Sequence, residues 1–474
     1  MSTIETKFSA LKSMLIARPI GKLLSDLPGI LNSGQERSVS AKKNIAKSFL
    51  IKVISIGISF LIVPITISYI NTSQYGIWLT LTSIVGWFSF FDIGLTHGLR
   101  NMFARAKANG DHQSAQAYVS TTYAILGIVF STVWLIFLLV NQFLSWPDIL
   151  NVPAGMQAEI SMLAVIVFTY FCLQFILKII STVVIANQEP AKASLIDLAG
   201  QITSFVIILI LVNTTQGSLI YLGLALCISP ILASIAANYF LFKGEYKPYR
   251  PSISKIRFSN AKGLLNLGWT FFIIQISVVI QLETANIIIA RNFGTTEVTS
   301  YNIVYKYFNI ITMFFIIFLT PFWSAATEAF LKKDLPWIKN GIRKYNYLNI
   351  LLFAVSVIML IFSNAFYSLW LGKNIVSIDF WLSFWGCVFV NLYIFGSKYV
   401  FFLNGISALK LQFWVSLVSP LVYIVTAYIL IDYFKMGVYS LFIASVVANL
   451  NGILIAPLQY YQIVHRNKTG IWIR

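Results

Sequence analysis

Phe49-Leu50-Ile51-Lys52-Val53-Ile54-Ser55-Ile56-Gly57-Ile58-Ser59-Phe60-Leu61-Ile62-Val63-Pro64-Ile65-Thr66-Ile67-Ser68-Tyr69-Ile70 is an unbroken apolar run whose only charge is Lys52. In lipid only a helix satisfies its own backbone, and about 20 residues cross the hydrocarbon. The run therefore reads as a membrane-spanning helix. Working outward, the same reading places spans at 46–70, 77–95, 117–140, 158–185, 193–213, 219–242, 263–290, 299–322, 346–367, 379–403, 411–431 and 437–460. The expected fold class is an all-α integral membrane protein with twelve transmembrane helices.

Composition agrees. Of the 474 residues, 58% are hydrophobic and 11% charged, against about 25% charged in soluble domains. A net charge of +18 in a soluble chain would suggest nucleic acid, but here the excess follows topology. Of the 34 basic residues, 26 fall in the tails and alternate gaps on one side, 3 in the opposite gaps and 5 inside spans. Basic residues mark the cytoplasmic side. The distribution predicts a multi-pass inner-membrane protein with both termini cytoplasmic, lipid for surroundings and no nucleic-acid partner.

The longest polar interruption, 243–262, carries Pro248, Pro251 and six basic residues. It divides the chain into an N-terminal tail (1–45), a six-helix bundle (46–242), a basic cytoplasmic linker (243–262), a second six-helix bundle (263–460) and a C-terminal tail (461–474). In the N-terminal tail, Leu11-Lys12-Ser13-Met14-Leu15-Ile16-Ala17-Arg18 mixes apolar and basic residues. A short interfacial helix on an anionic leaflet and a loosely ordered tail both fit it.

A faint echo connects the halves. Asn71-Thr72-Ser73-Gln74-Tyr75 precedes a span and then Asn109-Gly110-Asp111; Gly294-Thr295-Thr296-Glu297 precedes a span and then Leu331-Lys332-Lys333-Asp334. Six spans separate the two units, so they share one orientation, as in parallel repeats.

Ionisable groups inside a bilayer are costly and face a cavity or one another. Lys52, Lys178, Lys306 and Lys398 lie within spans, with Arg291 at an outer span end; Asp92, Asp197 and Glu283 oppose them. Lysines near an end can snorkel, which is the competing reading for Lys52 and Lys398. Ion pairing is the competing reading for Lys178 with Asp197 and for Lys306 with Glu283. Along the seventh span, Thr270, Ser277, Gln281 and Thr284 share one face, while Gln275, Glu283 and Asn286 gather opposite. A helix polar on two faces cannot lie against lipid. One face is expected to border a hydrophilic cavity. The third and ninth spans, almost featureless, are expected to face lipid.

Other chemistries lack their residues. No G-x-x-x-x-G-K-[ST] loop exists for ATP. Cys172, Cys227 and Cys387 all fall in apolar spans, and the three histidines, His97, His112 and His465, make no plausible metal site or triad. No cofactor, metal or catalytic residue is expected.

Tyr75-Gly76-Ile77-Trp78-Leu79-Thr80 and Trp87-Phe88-Ser89-Phe90-Phe91-Asp92-Ile93-Gly94-Leu95-Thr96-His97-Gly98-Leu99-Arg100-Asn101 resemble the signature of bacterial polysaccharide flippases. These belong to the multidrug/oligosaccharidyl-lipid/polysaccharide exporter superfamily, and the O-antigen type is the one resembled. The resemblance covers about residues 40–130 and implies a V-shaped pair of parallel six-helix bundles. It also implies a substrate, undecaprenyl-pyrophosphate-linked oligosaccharide, moved to the periplasmic leaflet, with a polysaccharide polymerase and a chain-length regulator as candidate partners. The residues suit that task. Phosphates need cations and sugar hydroxyls need hydrogen-bonding groups along a polar path.

Lys52, Lys178, Lys306, Lys398 and Arg291 are the candidate phosphate ligands, and Thr270, Ser277, Gln281 and Thr284 the candidate polar lining. Asp92, Asp197 and Glu283 are candidates for proton or other ion coupling in an antiport cycle, because low dielectric favours a neutral carboxyl. A multidrug exporter of cations would call for an acidic cavity. A membrane glycosyltransferase or polymerase would call for a large outer loop with catalytic residues, and the outer loops here are short.

Overall fold

The computed structural model describes residues 36–473 apart from 89–94, 188, 261–268, 374, 407 and 450. The described chain is helical throughout, with no strand among the described residues. The first half comprises α1 (Glu36–Ile70), α2 (Thr72–Gly86), α3 (Leu95–Ala108), α4 (His112–Asn141), α5 (Gln157–Leu177), α6 (Ile179–Ala186), α7 (Pro190–Thr214) and α8 (Leu219–Lys243). The second comprises α9 (Trp269–Phe293), α10 (Thr295–Leu331), α11 (Leu335–Ile361), α12 (Ser363–Leu371), α13 (Phe380–Gly405), α14 (Lys410–Tyr428), α15 (Ser440–Ala448) and α16 (Ala456–Val464).

Eight described helices, or nine with the bent α15–α16 pair taken as one span, are long and apolar enough to cross a membrane by themselves. The other predicted spans fall on α2, α9 and α10, whose polar residues make the contacts described below. Only 17% and 6% of the apolar stretches of α4 and α11 are buried, as lipid-facing helices would have it. The predicted twelfth span, 437–460, falls on the α15–α16 pair. It bends by 47° between Ala448 and Asn451, where Asn449, Asn451 and Gly452 interrupt the apolar run. The first helix also starts at Glu36, ten residues before the predicted span.

Most helices pack within their own half: α1 on α7, α7 on α8, α10 on α13, α9 on α14. Across the halves, α2 lies against α9 and α10, and α12 touches α1. The connecting segment is a strap on the first bundle. Gln116 Nε2 donates to the Arg250 carbonyl at 2.8 Å, the Ser252 amide to Ser120 Oγ at 3.1 Å and the Arg257 amide to Thr121 Oγ1 at 3.0 Å. Tyr246 and Tyr249 are buried beneath it. Nearby, burial would raise the Glu189 carboxyl, but hydrogen bonds from Tyr246, Lys192 and Asn187 hold it below the usual carboxylate range.

The faint repeat is visible in the caps. Asp111 accepts from the Ser114 amide at 2.9 Å and Asp334 from the Trp337 amide at 3.0 Å, starting α4 and α11 in the same way. Each follows a residue in the left-handed region, Gly110 (φ 72°) and Lys333 (φ 58°). A side chain there costs about 1–2 kcal/mol. Lys333→Gly is therefore expected to stabilise the protein by about 1 kcal/mol, read as a raised midpoint of thermal unfolding in detergent.

Candidate substrate cleft and cavity

The two turns of the repeat meet across the halves. Ser73 Oγ lies 2.8 Å from Thr295 Oγ1, and Thr299 Oγ1 donates to the Thr72 carbonyl at 2.7 Å. A Cβ on Gly76 would stand 1.7 Å from the Thr295 carbonyl oxygen, so only glycine permits this approach. Further along α2, Asn286 Nδ2 donates to Ser83 Oγ at 2.8 Å and Asn302 Nδ2 to Asn286 Oδ1 at 2.7 Å. The seam between the halves is thus polar and closely fitted.

Pro64 extends the seam along α1. Proline lacks an N–H and crowds the carbonyl four residues earlier. That carbonyl, on Phe60, accepts from Trp370 Nε1 at 2.8 Å, and the preceding one, on Ser59, accepts from Lys306 Nζ at 2.6 Å. Trp370 also packs on the Phe60 ring, centroids 4.7 Å apart. Backbone opened by a proline in one half is satisfied by side chains of the other.

Away from the seam, several predicted residues lie off the apolar rows of their helices. On α1, Leu50, Val53, Ile54 and Leu61 form the exposed apolar row, and Lys52 lies about 100–200° round from its members. Lys52 is nonetheless exposed. On α7, Asp197 lies about 200° round from Leu195, opposite the exposed row Leu195, Ile202 and Val206. Lys178, at the break between α5 and α6, lies about 160° round from exposed Met162. Lys178 Nζ and Asp197 Oδ1 are 3.2 Å apart, with 50% and 52% of their side chains exposed.

The three side chains lie off the exposed apolar rows of their helices and are themselves about half-exposed or more. Ile51 packs against Ala191 and Leu198, which sets Lys52 and Asp197 at one depth. Ser59, and with it Lys306, lies on the same face of α1 two turns further, roughly 10 Å away.

The two polar faces of α9 separate as the pattern predicts. Glu283 and Asn286 turn toward α2: the Glu283 carboxylate would lie 2.7 Å from a Cβ on Gly86. Glu283 makes no ion pair with Lys306 among the described residues. Ser277 donates to the Ser416 carbonyl, and Gln281 Nε2 to Ser419 Oγ at 2.8 Å, tying α9 to α14.

On that side lies a cavity of about 380 Å³ enclosed by α9, α10, α13, α14 and the bent span. Ser277 and Gln281 line it, as do Asn309, Thr312, Tyr393, Gln412 and Asn451. Asn451–Ile455 is π-helical. Irregular backbone at membrane depth is tolerated where it is buried or lines a cavity, and such bulges collect at functional sites. Among the described residues, no charged side chain lines this cavity.

The remaining candidates stand apart. Lys398 is fully buried, faces α11, donates to Asn349 Oδ1 at 2.6 Å and sits 4.2 Å and 4.9 Å from the Phe395 and Tyr399 ring centroids. These contacts favour neither the competing snorkelling reading nor a place beside Lys52 and Lys178. Arg291 is exposed in the last turn of α9. The Thr284 hydroxyl is buried without a partner among the described residues. Asp92 and the Thr270 side chain lie outside what is described. The sequence reading missed Asn309, Gln412 and the broken twelfth span. Asn449-Leu450-Asn451-Gly452, a cluster of turn-forming residues in mid-span, was the available signal.

Helical halves built of apolar spans and meeting at a polar seam are the arrangement of an exporter-type membrane fold. The chain resembles the inward-facing conformation of a multidrug resistance MATE family transporter of the MOP superfamily with a TM-score of 0.74 at 14% identity, covering 88% of this chain and 96% of that one. A MOP superfamily transporter from Pyrococcus furiosus, described by a reversed polarity of its binding pocket, gives a TM-score of 0.64 at 17% identity, covering 90% and 97%. These likenesses give the twelve-helix exporter fold.

The chain belongs to the polysaccharide biosynthesis protein family, whose model matches residues 41–324. It is 24% identical over 312 residues to a putative O-antigen transporter of Salmonella typhi, covering 65% of this chain and 68% of the relative. A putative O-antigen export protein of Yersinia pseudotuberculosis is 24% identical over 286 residues, with 59% and 63% covered.

Proposed function

We propose that this chain is a flippase that moves an undecaprenyl-pyrophosphate-linked oligosaccharide from the cytoplasmic to the periplasmic leaflet by alternating access. One observation carries the reading. Lys52 and the Lys178–Asp197 pair are exposed and lie off the apolar rows of their helices, while Lys306 reaches Ser59 across the halves, which supports a cationic path between the halves. A pyrophosphate leaving the interface needs such cations, because an unpaired charge in oil costs tens of kcal/mol by Born solvation. The basic-residue distribution sets the turns at Asn71 and Gly294 outside and both termini in the cytoplasm of an inner-membrane protein. The seam is then the outer gate and the cleft opens inward.

Hydrogen bonds between small polar groups, each worth about 0.5–1.5 kcal/mol net, suit a gate that opens in every cycle. Asp197 and Glu283 are the described carboxylates placed to couple opening to a proton or another ion. Cationic drugs fit less well, because Lys52 and Lys178 outnumber Asp197 beside the proposed path and no described residue that lines the 380 Å³ cavity is charged. Deleting the gene tests the reading. Lipid-linked sugar is expected to accumulate on the cytoplasmic leaflet and disappear from the periplasmic one; an unchanged leaflet distribution would refute it.

A further inference from the structure

We infer that the second-half cavity is a subsite for an uncharged pyranose ring, the sugar borne next to the pyrophosphate of the head group. The inference rests on the flippase reading and adds the chemistry of the sugar.

The first argument is hydrogen-bonding capacity. Asn309, Gln412 and Asn451 line the cavity, and their side-chain amides bond to no other described residue; the Tyr305 and Tyr393 hydroxyls likewise have no partner among the described residues. Polar groups at membrane depth are normally satisfied. These amides and hydroxyls instead face an open space as donors and acceptors together, which is what vicinal sugar hydroxyls require. Ser277 and Gln281, by contrast, already donate to α14.

The second argument is the aromatic wall. The Tyr305 and Phe389 rings are 6.4 Å apart and the Phe389 and Tyr393 rings 6.2 Å, tilted rather than stacked on one another. Ring faces left in this way offer an apolar, weakly negative surface to the C–H face of a pyranose. Charge is the third. A carboxylate on the sugar would enter without a cation and incur an uncompensated desolvation cost.

Size and position complete the case. About 380 Å³ is at the small end of ligand pockets, roughly 300–1,000 Å³, and suits about one or two rings rather than a whole repeat unit. On α10, Tyr305 and Asn309 face the cavity while Lys306, between them, reaches Ser59. One helical turn therefore presents a cation to the seam and hydrogen-bonding groups to the cavity.

The test uses the purified full chain in nanodiscs, titrated with a neutral methyl hexopyranoside, the matching methyl uronate and tetraphenylphosphonium, with binding read by saturation-transfer NMR and calorimetry. The neutral glycoside is expected to bind at least about tenfold more tightly than the uronate. Gln412→Met and Tyr393→Phe, which keep volume and remove only hydrogen-bonding groups, are expected to weaken it about tenfold between them, at unchanged thermal stability.

Equal binding of the uronate, no binding of the glycoside, or tighter binding of tetraphenylphosphonium at this cavity would overturn the inference. Movement of lipid-linked oligosaccharide is measured separately. Transport without glycoside binding refutes the subsite and leaves the flippase reading standing; glycoside binding without transport does the reverse.

Discussion

A Gly76→Val variant is expected to reach the membrane in normal amount and to lose export by at least about tenfold. The Cβ would lie 1.7 Å from the Thr295 carbonyl oxygen, whereas carbon and oxygen in close contact sit about 3.3–3.6 Å apart. The α2 and α10 ends must then part by roughly 1.5–2 Å, which breaks the Ser73–Thr295 and Thr299–Thr72 hydrogen bonds. Two such bonds at about 1 kcal/mol each exceed the roughly 1.4 kcal/mol that shifts an equilibrium tenfold. The closed-gate state is depopulated and the inward-open half of the cycle fails with it. Gly57 and Gly127, with nothing within 4 Å of a built Cβ, are the controls; alanine there is expected to leave export unchanged. Comparable export from Gly76→Val would show that this seam is no gate.

The second large effect is expected from charge reversal in the cleft. Lys52→Glu combined with Lys178→Glu replaces two cations beside the path with anions and leaves Asp197 unpaired. Opposite charges about 4 Å apart attract by about 4 kcal/mol at an effective dielectric of 20, so removing or inverting one such contact lowers the rate of an anionic cargo by about two orders of magnitude or more. The ion pair could instead matter only for packing. Lys178→Ala with Asp197→Ala separates the two roles, because it removes both charges and leaves neither stranded. Restored stability with export still lost supports the path, while restored export would reduce the pair to a structural contact. Export of surface polysaccharide and thermal unfolding of the purified variants are the two readings.

Much of the fold was legible because lipid leaves a chain few options. Runs such as Phe49 to Ile70 must be helical, and the alternating gaps of basic residues set their directions. The two polar faces of α9 were legible for the same reason, since Ser277 and Gln281 cannot share a side with Glu283 and Asn286 at 3.6 residues per turn. Lys178 with Asp197 came out as a pair, whereas Lys306 chose the Ser59 carbonyl over Glu283. That choice depends on how one half docks on the other. Periodicity within a helix holds no information on docking, and the proline that presents the Ser59 and Phe60 carbonyls acts through a neighbour distant in sequence. Lys398 shows the limit from the other side: depth alone suggested a snorkelling lysine, and Asn349 with two aromatic rings holds it inside instead. The cavity was hidden because its walls come from five helices, each with only two to four of its polar residues.

Leaflet-resolved movement of a lipid-linked oligosaccharide in proteoliposomes holding only this protein tests the central claim most directly. Fluorescently marked polyprenyl-pyrophosphate oligosaccharide is incorporated, and its protection from a periplasmic-side glycosidase is followed with time. The wild-type chain is expected to expose the sugar in both leaflets, the Lys52→Glu/Lys178→Glu variant is expected to leave it in one, and a cargo with its phosphates neutralised is expected to gain nothing from the lysines. Transport by the reversed variant at the wild-type rate, or wild-type transport indifferent to the charge of the phosphates, would contradict a cationic cleft as the path.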